Sequence, residues 1–349
     1  MELGATLRIR ATHARGRALR TAAAMLAGAL LLLVFFHLLD VGAAFRRLGH
    51  LSVGLALLSG AVFLGAYVVR ALRWRVLLRP CRVRVRTVVA IYQVATFLNW
   101  LLPVRGWEVA MSLLLRHTDG IPVSRSFATV SMDKAMDLLP AIGLLALMPL
   151  VGLHLGHDLL WLLVPATAVA GLGVLTLAVL AWKPERAVAL VGSLLGALLP
   201  RRAWERIEPG IAQFMGTLAA LLRRPRTLLV AGAYTVVAIG LDATFCLLAF
   251  RAVGVALSAR VALYGYTIYN LSFVLPSLPG QVGSNELVGL AVFSGLFGEP
   301  RSGVGAMFLF SHPFTGVLMT CSGLCCLRAL GLSLRGAFGL LRPKEATSQ

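Results

Sequence analysis

Two apolar stretches of this chain are broken in the same way, and each break ends on a carboxylate where lipid would be expected. The first covers residues 88–102, breaks at Pro103-Val104-Arg105-Gly106-Trp107-Glu108 and resumes over 109–115. The second covers 261–275, breaks between Pro276 and Glu286 and resumes over 287–297. The longest arm has 15 residues. At about 1.5 Å per residue it reaches roughly 22 Å, short of a hydrocarbon core of ~30 Å. Short arms around a Pro/Gly break predict re-entrant hairpins, 88–115 and 261–297, that enter and leave on one side. Turn backbone survives at membrane depth only when buried in protein or lining a wet cavity. Paired broken helices in corresponding halves are the sequence mark of a transport site.

With 58% hydrophobic and 13% charged residues, a soluble fold could not cover its apolar surface. The expected class is an all-α polytopic membrane protein. Full spans read as 22–39, 51–69, 127–153, 159–181, 228–250 and 303–327. The apolar run after Arg8, Arg10, Arg15, Arg17 and Arg20 is long enough to span, so the N-terminus does not read as a cleavable signal. The organisation expected is a basic cytoplasmic segment 1–21, one membrane domain 22–335 and a cytoplasmic tail 336–349. No soluble stretch has room for an appended catalytic domain.

The net charge is +19, but its placement argues against nucleic acid. With an inside N-terminus and both hairpins returning to their own side, 26 Lys and Arg fall inside and 5 outside. That bias supports the orientation, with both termini cytoplasmic. Three spans separate the hairpins, so one dips from inside and the other from outside, as an inverted repeat. The segment 183–226 alternates apolar and basic residues and reads as interfacial amphipathic helix, with Trp204 as a headgroup-level anchor.

Seven ionisable residues fall at membrane depth: Arg105, Glu108, Asp133, Lys134, Asp137, Asp242 and Glu286. Each costs ~2.5–3.5 kcal/mol at mid-bilayer if unpaired. Arg105 offers a planar fork suited to a phosphate or carboxylate, or to Glu108 itself. Glu108 is expected in a first helical turn, where a carboxylate favours the dipole. Asp133 and Asp137 share a face with Lys134 beside them. One cation is missing from that group, and Arg105 is the candidate. Asp242 is the most isolated acid, read as hydrogen-bonded or proton-coupling. Glu286 closes a turn in which Gly280 and Gly283 permit left-handed backbone or close approach of a ligand. Gln281, Ser284 and Asn285 add neutral donors there. Glu286 reads either as a helix cap or as a transport and coupling group. His312-Pro313 reads as a kink, with His312 able to face the second hairpin. The five cysteines, at 81, 246, 321, 325 and 326, have no metal spacing. Walker, dinucleotide, His-Glu-x-x-His and Gly-x-Ser-x-Gly motifs are absent, so neither cofactor nor metal is expected.

At these residues the chain resembles the transmembrane-domain family of lysylphosphatidylglycerol synthases, the flippase-like membrane proteins. The pattern Pro276-x-x-Pro279-Gly280-Gln281-x-Gly283-x-x-Glu286 is similar to the family's Pro-x-x-Pro-Gly-Gly-x-Gly-x-x-Glu, with Gln281 for the second glycine. Arg70-x-x-Arg73-Trp74 resembles its Arg-x-x-Arg-Trp, Asn99 to Pro103 and Arg105 its first turn, and Asp133-Lys134 its Asp-Arg pair. The resemblance implies movement of a polar-headed lipid across a bacterial cytoplasmic membrane, with a phosphate-containing or aminoacylated headgroup expected. Aminoacylated phospholipids, glycolipids, polyprenyl-linked sugars and hopanoids are all linked to such relatives, and the sequence does not choose among them. It implies substrate contact at Arg105, Glu108, Asp133, Lys134, Asp137, Gly280, Gln281, Gly283, Asn285 and Glu286. The synthases' soluble aminoacyl-transfer domain is not matched, so no enzymatic activity is carried over. The alternative is a non-transporting partner that presents lipid to, or scaffolds, a lipid-synthesis enzyme. A homo-oligomer is compatible with either.

Overall fold

The computed structural model describes residues 25–79, 81–101, 107–148, 201–272 and 279–341, with scattered positions between 168 and 193. Every described element is a helix. Helix α1 (Met25–Leu38) turns through 89° into α2 (Val41–Gly49). Asp40 makes that corner, its carboxylate accepting from the Ala43 N–H at 2.9 Å, which satisfies a donor that a helix start leaves open. Then follow α3 (Val53–Leu77), α4 (Val85–Leu101), α5 (Trp107–Asp119), α6 (Val123–Leu147), α7 (Arg201–Leu222), α8 (Pro225–Ala252) and α9 (Ala259–Ser272). A 3-10 turn at Pro279–Gln281 leads to α10 (Ser284–Gly289), which widens into a π-helix over Leu290–Leu296. Helices α11 (Arg301–Ala329) and α12 (Leu334–Leu341) complete the described chain.

Among the described residues three helices, α3, α8 and α11, are long and apolar enough to cross a membrane; the bent pair α1–α2 would be a fourth. Helix α6 has 25 residues, but Arg125, Asp133, Lys134 and Asp137 interrupt its apolar character. The expected span 159–181 lies mostly outside the described residues. Two expected spans are longer than the sequence suggested: 51–69 continues as helix to Leu77, and 228–250 runs from Pro225 to Ala252.

The four arms around the two breaks are short, as expected. The longest, α4, has 17 residues, about 25 Å at 1.5 Å per residue. Arms α4 and α5 pack on each other, and so do α9 and α10. The tips, 102–106 and 273–278, lie outside the described residues. Packing repeats between the halves: α3 lies on α4 as α8 lies on α9, while α4 crosses to α11 and α9 crosses to α6.

Two apolar cores follow from this exchange. One gathers Phe35, Phe250, Tyr264, Phe293 and Phe308 around the second broken segment. The other gathers Trp74, Ile91, Tyr92, Leu98, Met111 and Leu114 around the first. Without a strong hydrophobic drive in lipid, such contacts rest on close packing at small residues. A Cβ at Gly323 of α11 would stand 2.4 Å from the Phe97 Cβ of α4, so glycine sets how closely these helices approach. Helix α7, within the segment expected at the interface, packs one face on the protein. Met215, Leu218 and Leu221 are buried, and the helix packs on α6 and α8. Protein, not lipid, covers that face, while Trp204 is half-buried.

Candidate functional site

Helix α3 ends its apolar run with Arg70 and Arg73, three residues apart and therefore on one side of the helix. Their partners come from two other helices. Arg73 is fully buried. Its Nε lies 2.6 Å from Asp133 Oδ1, and its Nη1 lies 2.7 Å from Asp137 Oδ1 and 3.1 Å from Thr235 Oγ1. The Tyr92 hydroxyl donates to Asp133 Oδ2 at 3.3 Å. Arg70 grips both carboxylate oxygens of Asp242 and stands 3.8 Å from Asp137. Trp74, one residue on, donates from Nε1 to Thr129 Oγ1 at 3.0 Å.

This arrangement corrects two sequence expectations. The cation missing from the Asp133/Asp137 group is Arg73, seconded by Arg70; Arg105 lies outside the described residues. Asp242, the acid expected to be most isolated, has Arg70 as its partner. Both arginines had been assigned to a cytoplasmic loop. Because α3 runs on to Leu77, they instead lie within helix, and Arg73 shares its fully buried environment with Asp133.

The second motif folds as its glycines require. Gly280 and Gly283 have φ of 62° and 80°, and Gln281, between them, has φ of 57°. Left-handed backbone favours glycine, so the residue that departs from the family pattern is held in a conformation where glycine would be at ease. Gly283 does not open towards a ligand. A Cβ there would fall 2.6 Å from the Gly28 carbonyl oxygen of α1, so the close approach is between backbones. Gly283→Ala is therefore expected to destabilise the fold by about 1–3 kcal/mol. Thermal melting in detergent checks this; an unchanged melting temperature would show that α1 yields freely.

Glu286 makes the capping contact read from the sequence and also has a partner across the turn. Its Oε2 accepts from the Gly283 N–H at 2.8 Å, and its Oε1 lies 2.5 Å from His312 Nδ1. His312 Nε2 lies 2.8 Å from the Gly280 carbonyl oxygen. A carbonyl only accepts, so Nε2 carries a hydrogen. One further proton then joins Nδ1 to Glu286 Oε1, whichever atom holds it. The imidazole of α11 thus ties both ends of the broken turn together, and Glu286 is only 4% exposed.

Between these two clusters lies a cavity of about 550 Å³. The first broken segment contributes Asn99, Trp100 and Glu108, which sits in the first turn of α5 as expected. The second contributes Asn270, Gln281 and Asn285. Arg70, Lys134, Asp137 and Asp242 line it from α3, α6 and α8, and His312 from α11. Of the residues singled out in the sequence, Glu108, Lys134, Asp137, Asp242, Gln281, Asn285 and His312 line this one cavity. Asp133, Gly280, Gly283 and Glu286 stand behind it and hold those that line it. Sequence reasoning missed Arg70, Arg73, Tyr92 and Asn270 as site residues. The i, i+3 arginine spacing beside Trp74 was the available signal. Among the described residues no three His, Cys, Asp or Glu side chains converge as a metal site.

A family model described as Lysylphosphatidylglycerol synthase TM region matches residues 20–323. No curated protein and no solved structure matches. The matched region includes both breaks, the arginine pair of α3, the acidic face of α6 and Glu286 with His312. The chain is a membrane protein that belongs to the lysylphosphatidylglycerol synthase TM region family.

Proposed function

We propose that this protein moves a polar-headed lipid between leaflets, as a flippase or scramblase, with both broken segments acting as re-entrant hairpins of an inverted repeat. The observation that carries this reading is the cavity itself. It sets charged and carboxamide side chains among apolar ones, lies among apolar helices and takes wall residues from both broken segments. A scaffold would gain nothing from the carboxamides of Asn99, Asn270, Gln281 and Asn285 in that wall, polar groups that are costly to desolvate. A lipid whose headgroup entered the cavity while its tails stayed in the bilayer would use them. The charge bias of the loops supports inside termini in a cytoplasmic membrane. No catalytic step is assigned.

Reconstitution of the pure protein into vesicles holding fluorescent headgroup lipids tests the reading. Accelerated leaflet exchange is the expected result, and exchange no faster than in protein-free vesicles for every lipid would leave the partner-protein alternative. Cysteines introduced at Val104 and Ser277 should label from opposite faces, inside and outside respectively. Labelling of both from one side would overturn the inverted arrangement.

A further inference from the structure

The cavity's charges and its amides are not equally available. Arg70 is bound to Asp242, and Asp137 to Arg73. Lys134 is engaged within the protein. By contrast, four carboxamides line the same cavity: Asn99, Asn270, Gln281 and Asn285. Among the described residues none of these side chains is hydrogen-bonded to the protein, and Asn99 Oδ1 is a buried acceptor with no partner at all. Buried polar groups are normally paired, and the exceptions call for an explanation. Gln281 adds one, since its amide is presented on a backbone with φ of 57°, a conformation that costs a non-glycine residue free energy.

The amides converge from both broken segments, with Asn99 on α4, Asn270 on α9, and Gln281 and Asn285 at the second break. Each carries donors and an acceptor. Several such groups together recognise hydroxyls, which both give and accept. Rings of Trp100, Tyr266 and Tyr269 share the wall, with Tyr266 and Tyr269 5.6 Å apart. Their faces carry negative quadrupole charge and suit the C–H face of a sugar ring. We infer that the headgroup taken by this cavity is an uncharged glycosyl group, held by the four amides and these rings. The inference rests on the proposed lipid movement and names its substrate class. An ammonium headgroup would find Asp137 and Asp242 already paired with Arg73 and Arg70.

The test uses the protein in nanodiscs, titrated calorimetrically with three short-chain lipids on one dihexanoyl tail: a glucosyl diacylglycerol, phosphatidylglycerol and lysyl-phosphatidylglycerol. Methyl glucoside forms a fourth arm and separates a lipid-borne from a free sugar. The glucosyl lipid is expected to bind at least about tenfold more tightly than the other three. Asn285→Leu and Asn99→Leu are each expected to weaken it about tenfold without lowering the melting temperature, because among the described residues neither amide has a protein partner to lose. Equal or tighter binding of lysyl-phosphatidylglycerol or phosphatidylglycerol, or unchanged glucosyl-lipid binding in both variants, would overturn the inference. Tightest binding of methyl glucoside would overturn the lipid-borne sugar. If the glucosyl lipid binds as expected yet never changes leaflet, the proposed transport fails and the headgroup assignment stands. If other lipids exchange and the glucosyl lipid does not bind, the reverse holds.

Discussion

Arg73→Leu is expected to remove most of the folded protein. Its guanidinium holds Asp133 at 2.6 Å, closed to solvent, and Asp137 at 2.7 Å, 27% exposed at the cavity. Breaking a buried pair from one side strands the other charge, at about 3–5 kcal/mol. Asp133 is stranded here, while Asp137 keeps Arg70 at 3.8 Å, against a total stability of about 5–15 kcal/mol for a typical domain. Arg70→Leu is expected to cost less, since Arg70 and Asp242 are 16% and 15% exposed and face the cavity. Thermal melting followed by size-exclusion chromatography in detergent ranks the two. Adding Asp133→Asn and Asp137→Asn to Arg73→Leu should recover part of the loss, because neutral amides strand no charge. A melting temperature within a few degrees of wild type for Arg73→Leu alone would show that water reaches the cluster.

Glu286→Gln is expected to leave the fold intact and to slow leaflet exchange by tenfold or more, about 1.4 kcal/mol or above on the barrier. A glutamine can keep its oxygen on the Gly283 N–H and turn its NH2 towards His312 Nδ1. The imidazole then stays neutral, with its hydrogen on Nε2 facing Gly280. Every hydrogen bond survives, but the proton shared between Glu286 and His312 is gone. A purely structural cap predicts the opposite pattern, a loss of ~1 kcal/mol or less in stability with exchange spared. Exchange and melting temperature, measured on the same preparation, separate the two. Unchanged exchange with a lowered melting temperature would make the carboxylate a cap and nothing more.

Sequence reasoning reached what is local. The breaks, the short arms, Glu108 in a first turn and the shared face of Asp133 and Asp137 all follow from spacing, because helix periodicity is set within a few residues. It failed where partners are remote. Arg70 and Asp242 are 172 positions apart, and Arg73 and Asp133 are 60 apart; no periodicity links them. The positive-inside rule then misassigned the arginines, since it counts a basic residue near a span's end as loop whether or not the helix continues. The role of Gly283 was hidden for a related reason. A left-handed turn is legible, but the backbone of α1 against it is not. His312 was legible only as a neighbour of Pro313, and its contacts depend on how α11 crosses the second break.

The extensive seam between α3 and α8 has a consequence for how such a protein could work. Arg70 on Asp242 and Arg73 on Thr235 rivet these two helices, and each leads directly into one broken segment. Under the proposed function, a carrier that opens first to one side and then to the other needs a part that stays still. The riveted pair supplies a stator, and the levers are what hang from its ends. Motion confined to the levers would leave the α3–α8 seam untouched while the amide-lined wall changes the face it presents. Substitutions that loosen the rivets should then cost fold and cycle together, whereas those at the break tips can alter the cycle alone.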